Sequence, residues 1–271
     1  MTYCVAISTR EGLVFCSDSR TNAGPDMLSS YSKMHIFHPS PDQVFILMTA
    51  GNLATTQAIV SRLEQDLEAP DSVNLGSCGK MHEAARYVSN ISREVQTDAQ
   101  NSVNTSGIDT SASLILGGQI KGGEPALYLV YAASNFITDS DETPFLQIGE
   151  SKYGRPILDR ILTRTTSLED AARCAIVSMD STIKSNATVG PPIEVLIYEK
   201  NTFESNHHIK LDEEDQYLRD IKKSWNDALK TSFSALPRFD WEHRSSITPL
   251  QAVGTPFPNS QNDNPGSGDA G

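Results

Sequence analysis

The chain has 271 residues, 38% of them hydrophobic and 21% charged, with 34 acidic against 22 basic side chains and a net charge of −12. That balance suits one packed domain with a tail and excludes a wholly disordered chain. An acidic surface without basic blocks repels nucleic-acid phosphates, and no apolar run approaches the roughly 20 residues that span a bilayer, so neither nucleic acid nor a membrane is an expected partner.

The first residues, Met1-Thr2-Tyr3-Cys4, lead straight into an alternating apolar stretch without the regions of a secretory signal, and a cytoplasmic location is expected. Cys4, Cys16, Cys78 and Cys174 have no paired spacing and are expected as reduced thiols. Tyr3 to Ser8 and Leu13 to Ser19 read as an antiparallel hairpin about the turn Thr9-Arg10-Glu11-Gly12. Leu13-Val14-Phe15-Cys16 is apolar on both faces, which requires layers above and below the sheet. Strands are expected at Ser30 to Phe37 and Val44 to Thr49, then helices carrying Leu53, Ile59, Val60, Leu63 and Leu67, and Ala84, Tyr87, Val88, Ile91 and Val95.

Strands resume at Ser113 to Leu116, Ala126 to Ala132 and Phe145 to Ile148, with Gly117-Gly118 and Gly122-Gly123 read as hairpin markers. Helices follow at Tyr153 to Leu162 and from Ser167, and a strand at Ile193 to Tyr198 closes the set. Runs of strands followed by helix pairs, twice over, predict an α+β fold: a four-layer αββα sandwich of two antiparallel sheets between helical layers. Asp212 is expected to cap a further helix at about 212–234 with Leu218, Ile221, Trp225 and Leu229 on one stripe. The single domain is expected over 2–236, and 237–271, rich in Pro, Gly, Ser, Asn and Asp towards its end, as an extended, largely disordered tail.

Removal of Met1 would leave Thr2 with a free α-amine beside a hydroxyl. An α-amine, with a reference pKa of about 7.7–8.0, is partly neutral at cellular pH and can accept the hydroxyl proton, so the residue carries its own base. A hairpin turn centred near Arg10 puts Asp18 about opposite Thr2, although Asp18 could simply end its strand. Lys33, in Ser30-Tyr31-Ser32-Lys33-Met34-His35-Ile36, reads as strand. If it points between sheets it needs a carboxylate such as Asp18 to stay charged, and otherwise it is a surface residue. Gly51-Asn52 opens a helix whose N–H groups suit a developing oxyanion, or Asn52 is an ordinary cap.

Thr2 after Met1, Ser17-Asp18-Ser19-Arg20, Lys33 and Thr49-Ala50-Gly51 together resemble the catalytic half of proteasome β-subunits and the bacterial HslV peptidase. Thr2-Tyr3-Cys4-Val5-Ala6-Ile7, the run Ser17 to Gly24, and Ile148-Gly149-Glu150-Ser151-Lys152-Tyr153-Gly154 are more closely similar to the Anbu family of bacterial proteasome homologues, over roughly residues 2–235. The resemblance implies an N-terminal nucleophile hydrolase with Thr2 as nucleophile and base, Asp18 and Lys33 in support, and the Gly51 N–H on the oxyanion. Around the amine the chain departs from proteasome subunits, offering Glu150-Ser151 and Asn186-Ala187-Thr188-Val189-Gly190, so Glu150, Ser151 and Asn186 are further candidates. The resemblance also implies self-association into rings or a short helical stack acting on a peptide or amide substrate, without metal or organic cofactor; whether an ATPase feeds it stays open.

The stretch Asn74 to Met81 lacks the spacing of a phosphate loop, and His207-His208 has no partners at metal-ligand spacing. No Gly-x-Ser-x-Gly elbow is present. Three readings of function remain: a threonine peptidase, a dedicated peptide or amide processing or transfer enzyme of the same fold, and a non-catalytic compartment with a vestigial site.

Overall fold

In the computed structural model the described residues are 2–22, 28–69, 73–102 and 109–242. Their contacts divide the chain into two units, Met1–Asp227 and Ala228–Gly271. The first unit begins with β1 (Tyr3–Ser8), β2 (Gly12–Asp18), the short ribbon β3 (Arg20–Asn22) and β4 (Leu28–Ser30), then β5 (Met34–Ser40) and β6 (Gln43–Gly51). Helices α1 (Leu53–Glu68) and α2 (Met81–Ser102) follow, then β7 (Ala112–Ile120), β8 (Ala126–Val130), β9 (Phe136–Thr138) and β10 (Phe145–Gly149). Helices α3 (Arg155–Ile161) and α4 (Leu168–Ser185), strands β11 (Ile193–Glu199) and β12 (His207–Leu211), and the start of α5 (Gln216–Ser234) complete it.

Two five-stranded sheets result, ordered β10-β1-β2-β11-β12 and β5-β6-β7-β8-β9, with every pairing antiparallel. The apolar alternation of β1 and β2 decides the layering. Cys4, Ala6, Leu13 and Phe15 face Val44, Ile46, Met48 and Ile115 of the second sheet. Tyr3, Val5, Ile7, Val14 and Cys16 face the other way, against Leu158 of α3 and Ala171, Ala175 and Met179 of α4. On the far side of the second sheet, Phe45, Leu47, Leu114 and Leu116 meet Ile59 and Leu63 of α1 and Ala84, Val88 and Ile91 of α2. The order of layers is therefore αββα, as the doubly apolar strands require. All four cysteines are free and buried in these layers.

Several boundaries differ from the sequence reading. The strand expected over Ser30 to Phe37 is divided, because β4 pairs with β3 while β5 pairs with β6 of the second sheet. Residues 31–33 make the step, held by Tyr31 N–H to Ser19 O at 2.9 Å and Thr49 N–H to Lys33 O at 2.9 Å. Gly117 and Gly118 do not mark a turn but lie inside β7. A Cβ on Gly117 would come 2.5 Å from the ring of Phe15 in the opposite sheet, so the missing side chain is what admits that ring. Ile193 to Glu199 is not the last strand: β12 pairs with it at the sheet edge, where four of its five residues are exposed and the polar His207, His208 and Lys210 hide the apolar signal.

Helix α5 starts at Gln216 rather than at Asp212, and its first turn is capped by Asp215, whose Oδ1 accepts the Leu218 N–H at 3.1 Å. Leu218 is buried in the cluster beneath α4, with Ile221 packed against it. In the second unit, described as far as Glu242, the rings of Phe239 and Trp241 stack with centroids 5.4 Å apart. Of the tail expected over 237–271, the part from 243 onward lies outside the described residues. Among the described residues no helix is long and apolar enough to cross a membrane.

The seam at Gly117 gives a direct test. Gly117→Ala should lower stability by about 1–3 kcal/mol through overpacking, and Phe15→Leu in the same chain should recover much of that loss, although alone it destabilises. Denaturant unfolding of the two single variants and the double variant measures the coupling.

Candidate active site

Thr2 lies at the entry to β1, where two contacts fix its main chain. Its carbonyl accepts the Glu150 N–H at 2.7 Å, and Tyr3, the next residue, is paired with Gly149 of β10. Gly149 sits at φ +80°, and a Cβ there would fall 1.9 Å from the Thr2 carbonyl oxygen. Only glycine allows the strand to come this close to the residue.

Asp18 ends β2. The register Cys4↔Ser17 carries on to set Asp18 against Tyr3 rather than against Thr2, one residue away from the sequence expectation, because the hairpin turns between Arg10 and Glu11. The carboxylate is thus bound to the main chain just after Thr2: the Tyr3 N–H donates to Asp18 Oδ1 at 3.0 Å, and the Gly190 N–H to Oδ2 at 3.3 Å. Lys33 enters from between β4 and β5, and its Nζ donates to Asp18 Oδ1 at 2.6 Å and to the Arg20 carbonyl at 2.7 Å. Asp18 is 0% exposed and Lys33 7%, so this is a buried ion pair. Burial pushes the Asp18 carboxyl above its ordinary value, and the Lys33 charge and the two N–H donors act in the opposite direction.

An ammonium has three N–H groups. Two of those on Lys33 are taken by Asp18 and Arg20, and one remains uncommitted among the described residues. Thr2 and Lys33 line one cleft of about 720 Å³, together with Thr49, Ala50, Gly51 and Asn52. Gly51 is the last residue of β6, two before the first residue of α1, and is not itself part of the helix. Asn52 is the helix cap, with its Oδ1 accepting the Thr55 N–H at 3.2 Å and its own N–H donating to Ser111 O at 2.9 Å.

Glu150 is buried, and its Oε2 accepts from Asn186 Nδ2 at 3.3 Å, so these two candidates meet beside the main chain of Thr2. The Asn186 Oδ1 also holds Thr188, through its N–H at 3.0 Å and its hydroxyl at 2.6 Å. Ser151 contributes main-chain bonds, its N–H to Gly149 O at 3.1 Å and its carbonyl to Gln147 Nε2 at 3.3 Å. Neither Glu150 nor Asn186 nor Ser151 is among the cleft-lining residues.

Sequence reasoning missed the supports. The Tyr3 hydroxyl bonds to Ser178 Oγ of α4 at 2.6 Å and accepts from Gln147 Nε2 at 2.8 Å, anchoring the residue next to Thr2 in the core. Burial pushes the Tyr3 phenol, and the nearby Cys4 thiol, well above their ordinary values, so neither ionises near neutral pH. Gly149 and Gly190 were visible only as glycines in motifs without a hydrophobic period. The carbonyl of Arg20 carries no sequence signal at all.

Lys33→Ala should strand a buried carboxylate and lower stability by about 3–5 kcal/mol at neutral pH. Asp18→Asn added to that variant should restore part of the loss. Denaturant unfolding of the single and double variants reads the coupling, and simple additivity would show that the pair is not linked as described.

The proteasome subunit family matches the chain over residues 2–198. Comparison with curated proteins gives no match. Among solved structures, the chain is 43% identical to Anbu (ancestral beta-subunit) from Yersinia bercovieri, with a TM-score of 0.82 over 88% of this chain and 99% of that one. A helical assembly of the Anbu complex from Pseudomonas aeruginosa is also 43% identical, with a TM-score of 0.83 over 88% of this chain and 98% of the other. Anbu from Hyphomicrobium sp. strain MC1 is 40% identical, with a TM-score of 0.80 over 88% and 100%. With the family match covering most of the chain and these similarities running through both sheets, the chain belongs to the proteasome subunit family as an Anbu-type homologue.

Proposed function

We propose that the chain is a threonine-type N-terminal nucleophile hydrolase cleaving a peptide or amide bond, with Thr2 as the first residue once Met1 is removed. The observation that carries the reading is Lys33, fixed between Asp18 and the Arg20 carbonyl with one N–H to spare, on the wall of the cleft that Thr2 also lines. The fit to the proteasome subunit family, beginning at residue 2, supports it.

In this mechanism the neutral α-amine of Thr2 takes the proton from the Thr2 hydroxyl as Oγ1 attacks the carbonyl carbon. The Lys33 ammonium, paired with Asp18, favours the developing alkoxide electrostatically, and the Gly51 N–H receives the oxyanion. Collapse of the tetrahedral species passes the amine's proton to the leaving nitrogen and leaves an acyl ester on Oγ1. Water, deprotonated by the same amine, hydrolyses that ester. Glu150, whose N–H holds the Thr2 carbonyl and whose carboxylate accepts from Asn186, is assigned to orienting the ammonium form. We further infer self-association into a ring or short helical stack, since one similar structure is a helical assembly, and a cytoplasmic location, which the four free cysteines fit.

Two measurements test the reading together. Mass spectrometry of the protein purified from its own cells should give threonine as the N-terminal residue, and a peptide epoxyketone should add once per chain. Thr2→Ala should abolish the adduct and Lys33→Ala should slow its formation by about 100-fold. A chain beginning with threonine that takes up no electrophile would instead favour a compartment without chemistry, while retained or acetylated Met1 would remove the proton acceptor.

A further inference from the structure

Although the chain carries a net charge of −12, no aspartate or glutamate is among the described residues that line the Thr2 cleft. The lining residues with cationic side-chain forms are Arg20, Lys33 and His35. Lys33 is ion-paired with Asp18 and burial disfavours the charged form of His35, while Arg20 has no counter-ion among the described residues.

Arg20 is held in place without being neutralised. Its Nη1 donates to the Ala187 carbonyl at 3.0 Å. The guanidinium packs against Gly190, where a Cβ would come 2.3 Å from Cζ. No carboxylate comes within ion-pairing distance of it among the described residues, whereas Arg164, similarly half-buried, is bound by both Asp139 and Asp141. A guanidinium has five N–H donors in a planar fork, and one interaction with a carbonyl leaves most of that fork open. Fixed in advance, it can bind a carboxylate through two parallel hydrogen bonds with little loss of side-chain freedom. A cationic cleft in an acidic body also concentrates anionic segments at its mouth and turns away basic ones.

We propose that the cleft selects peptide or amide substrates carrying a carboxylate close to the scissile bond, and that Arg20 is the specificity-determining residue that reads it. This rests on the threonine-hydrolase reading for its use in catalysis, though not for binding. A charge-assisted hydrogen bond is worth about 1.5–3 kcal/mol, which corresponds to selectivity on the order of 10- to 100-fold.

The test uses the full chain and three peptide epoxyketones that differ at one residue, Glu, Gln or Lys. The Glu probe should label Thr2 at least about 10-fold faster than the Gln probe, and the Lys probe should be slowest. Arg20→Gln should bring the Glu and Gln rates together, while Arg20→Lys, which keeps the charge but not the planar fork, should retain only part of the preference. Equal rates in the parent chain, or a Glu preference that survives Arg20→Gln, overturn the proposal. Binding to the Thr2→Ala chain, followed by fluorescence anisotropy, separates it from the catalytic reading. There, an amidated Glu peptide and a Gln peptide with a free C-terminus distinguish a side-chain carboxylate from a terminal one. If no probe labels Thr2 but either carboxylate peptide binds more tightly than an uncharged one, in a way lost in Thr2→Ala/Arg20→Gln, the hydrolase reading fails and this one stands. If all the peptides bind alike, the proposal falls whatever the labelling shows.

Discussion

A lysine ammonium and an aspartate carboxylate 2.6 Å apart, both withdrawn from water, form the constraint around which this end of the molecule is organised. Neither charge is tolerable there alone, because an isolated ion in a poorly polarisable interior costs several kcal/mol that only a well-placed counter-ion and further hydrogen bonds offset. The carboxylate is therefore also bound by the N–H groups of Tyr3 and Gly190, and the ammonium by the Arg20 carbonyl. Those partners come from β1, the loop after α4 and the start of β3. Satisfying one buried pair thus ties three separate segments to the end of β2.

The same pair explains why two sheets are needed. Asp18 belongs to the first sheet, and Lys33 stands immediately before β5 of the second. Their meeting depends on the face-to-face stacking that Phe15 and Gly117 permit between the sheets. Packing in the middle of the sandwich and charge pairing at its end therefore support one another, which is the consistency across levels expected of a sequence that specifies one structure.

Much of the architecture was readable because alternation and helical spacing are strong where elements are buried. Leu13 to Cys16, apolar on both faces, announced a covered sheet, and Ile59 and Leu63 announced α1. What escaped had weak or misleading local signals. β12 is polar because it lies at an edge, and Gly117-Gly118 read as a turn because a glycine pair says nothing about which ring from another sheet will occupy the space. At the candidate site, side chains with evident chemistry, Thr2, Asp18 and Lys33, could be named in advance from a resemblance. Main-chain contributors could not, since the N–H of Gly190 and the carbonyl of Arg20 look like any others until the chain has folded. The one-residue offset between Asp18 and Thr2 belongs to the same class, because it depends on which two residues make the turn.

The clamp on the peptide joining Thr2 to Tyr3 has a consequence for Thr2 as a mechanical part. Its carbonyl oxygen is held by Glu150 and its amide hydrogen by Asp18, so this planar unit is gripped from both sides. In the proposed mature chain, with Met1 removed, only two torsions upstream of it move the heavy atoms of Thr2, one about the bond to the carbonyl carbon and one about the bond to Cβ. A hydroxyl and a nitrogen mounted on so short and well-anchored a lever sweep a small volume, so in the proposed reaction most of the orientational entropy of bringing them to a carbonyl carbon would be removed during folding rather than on encounter.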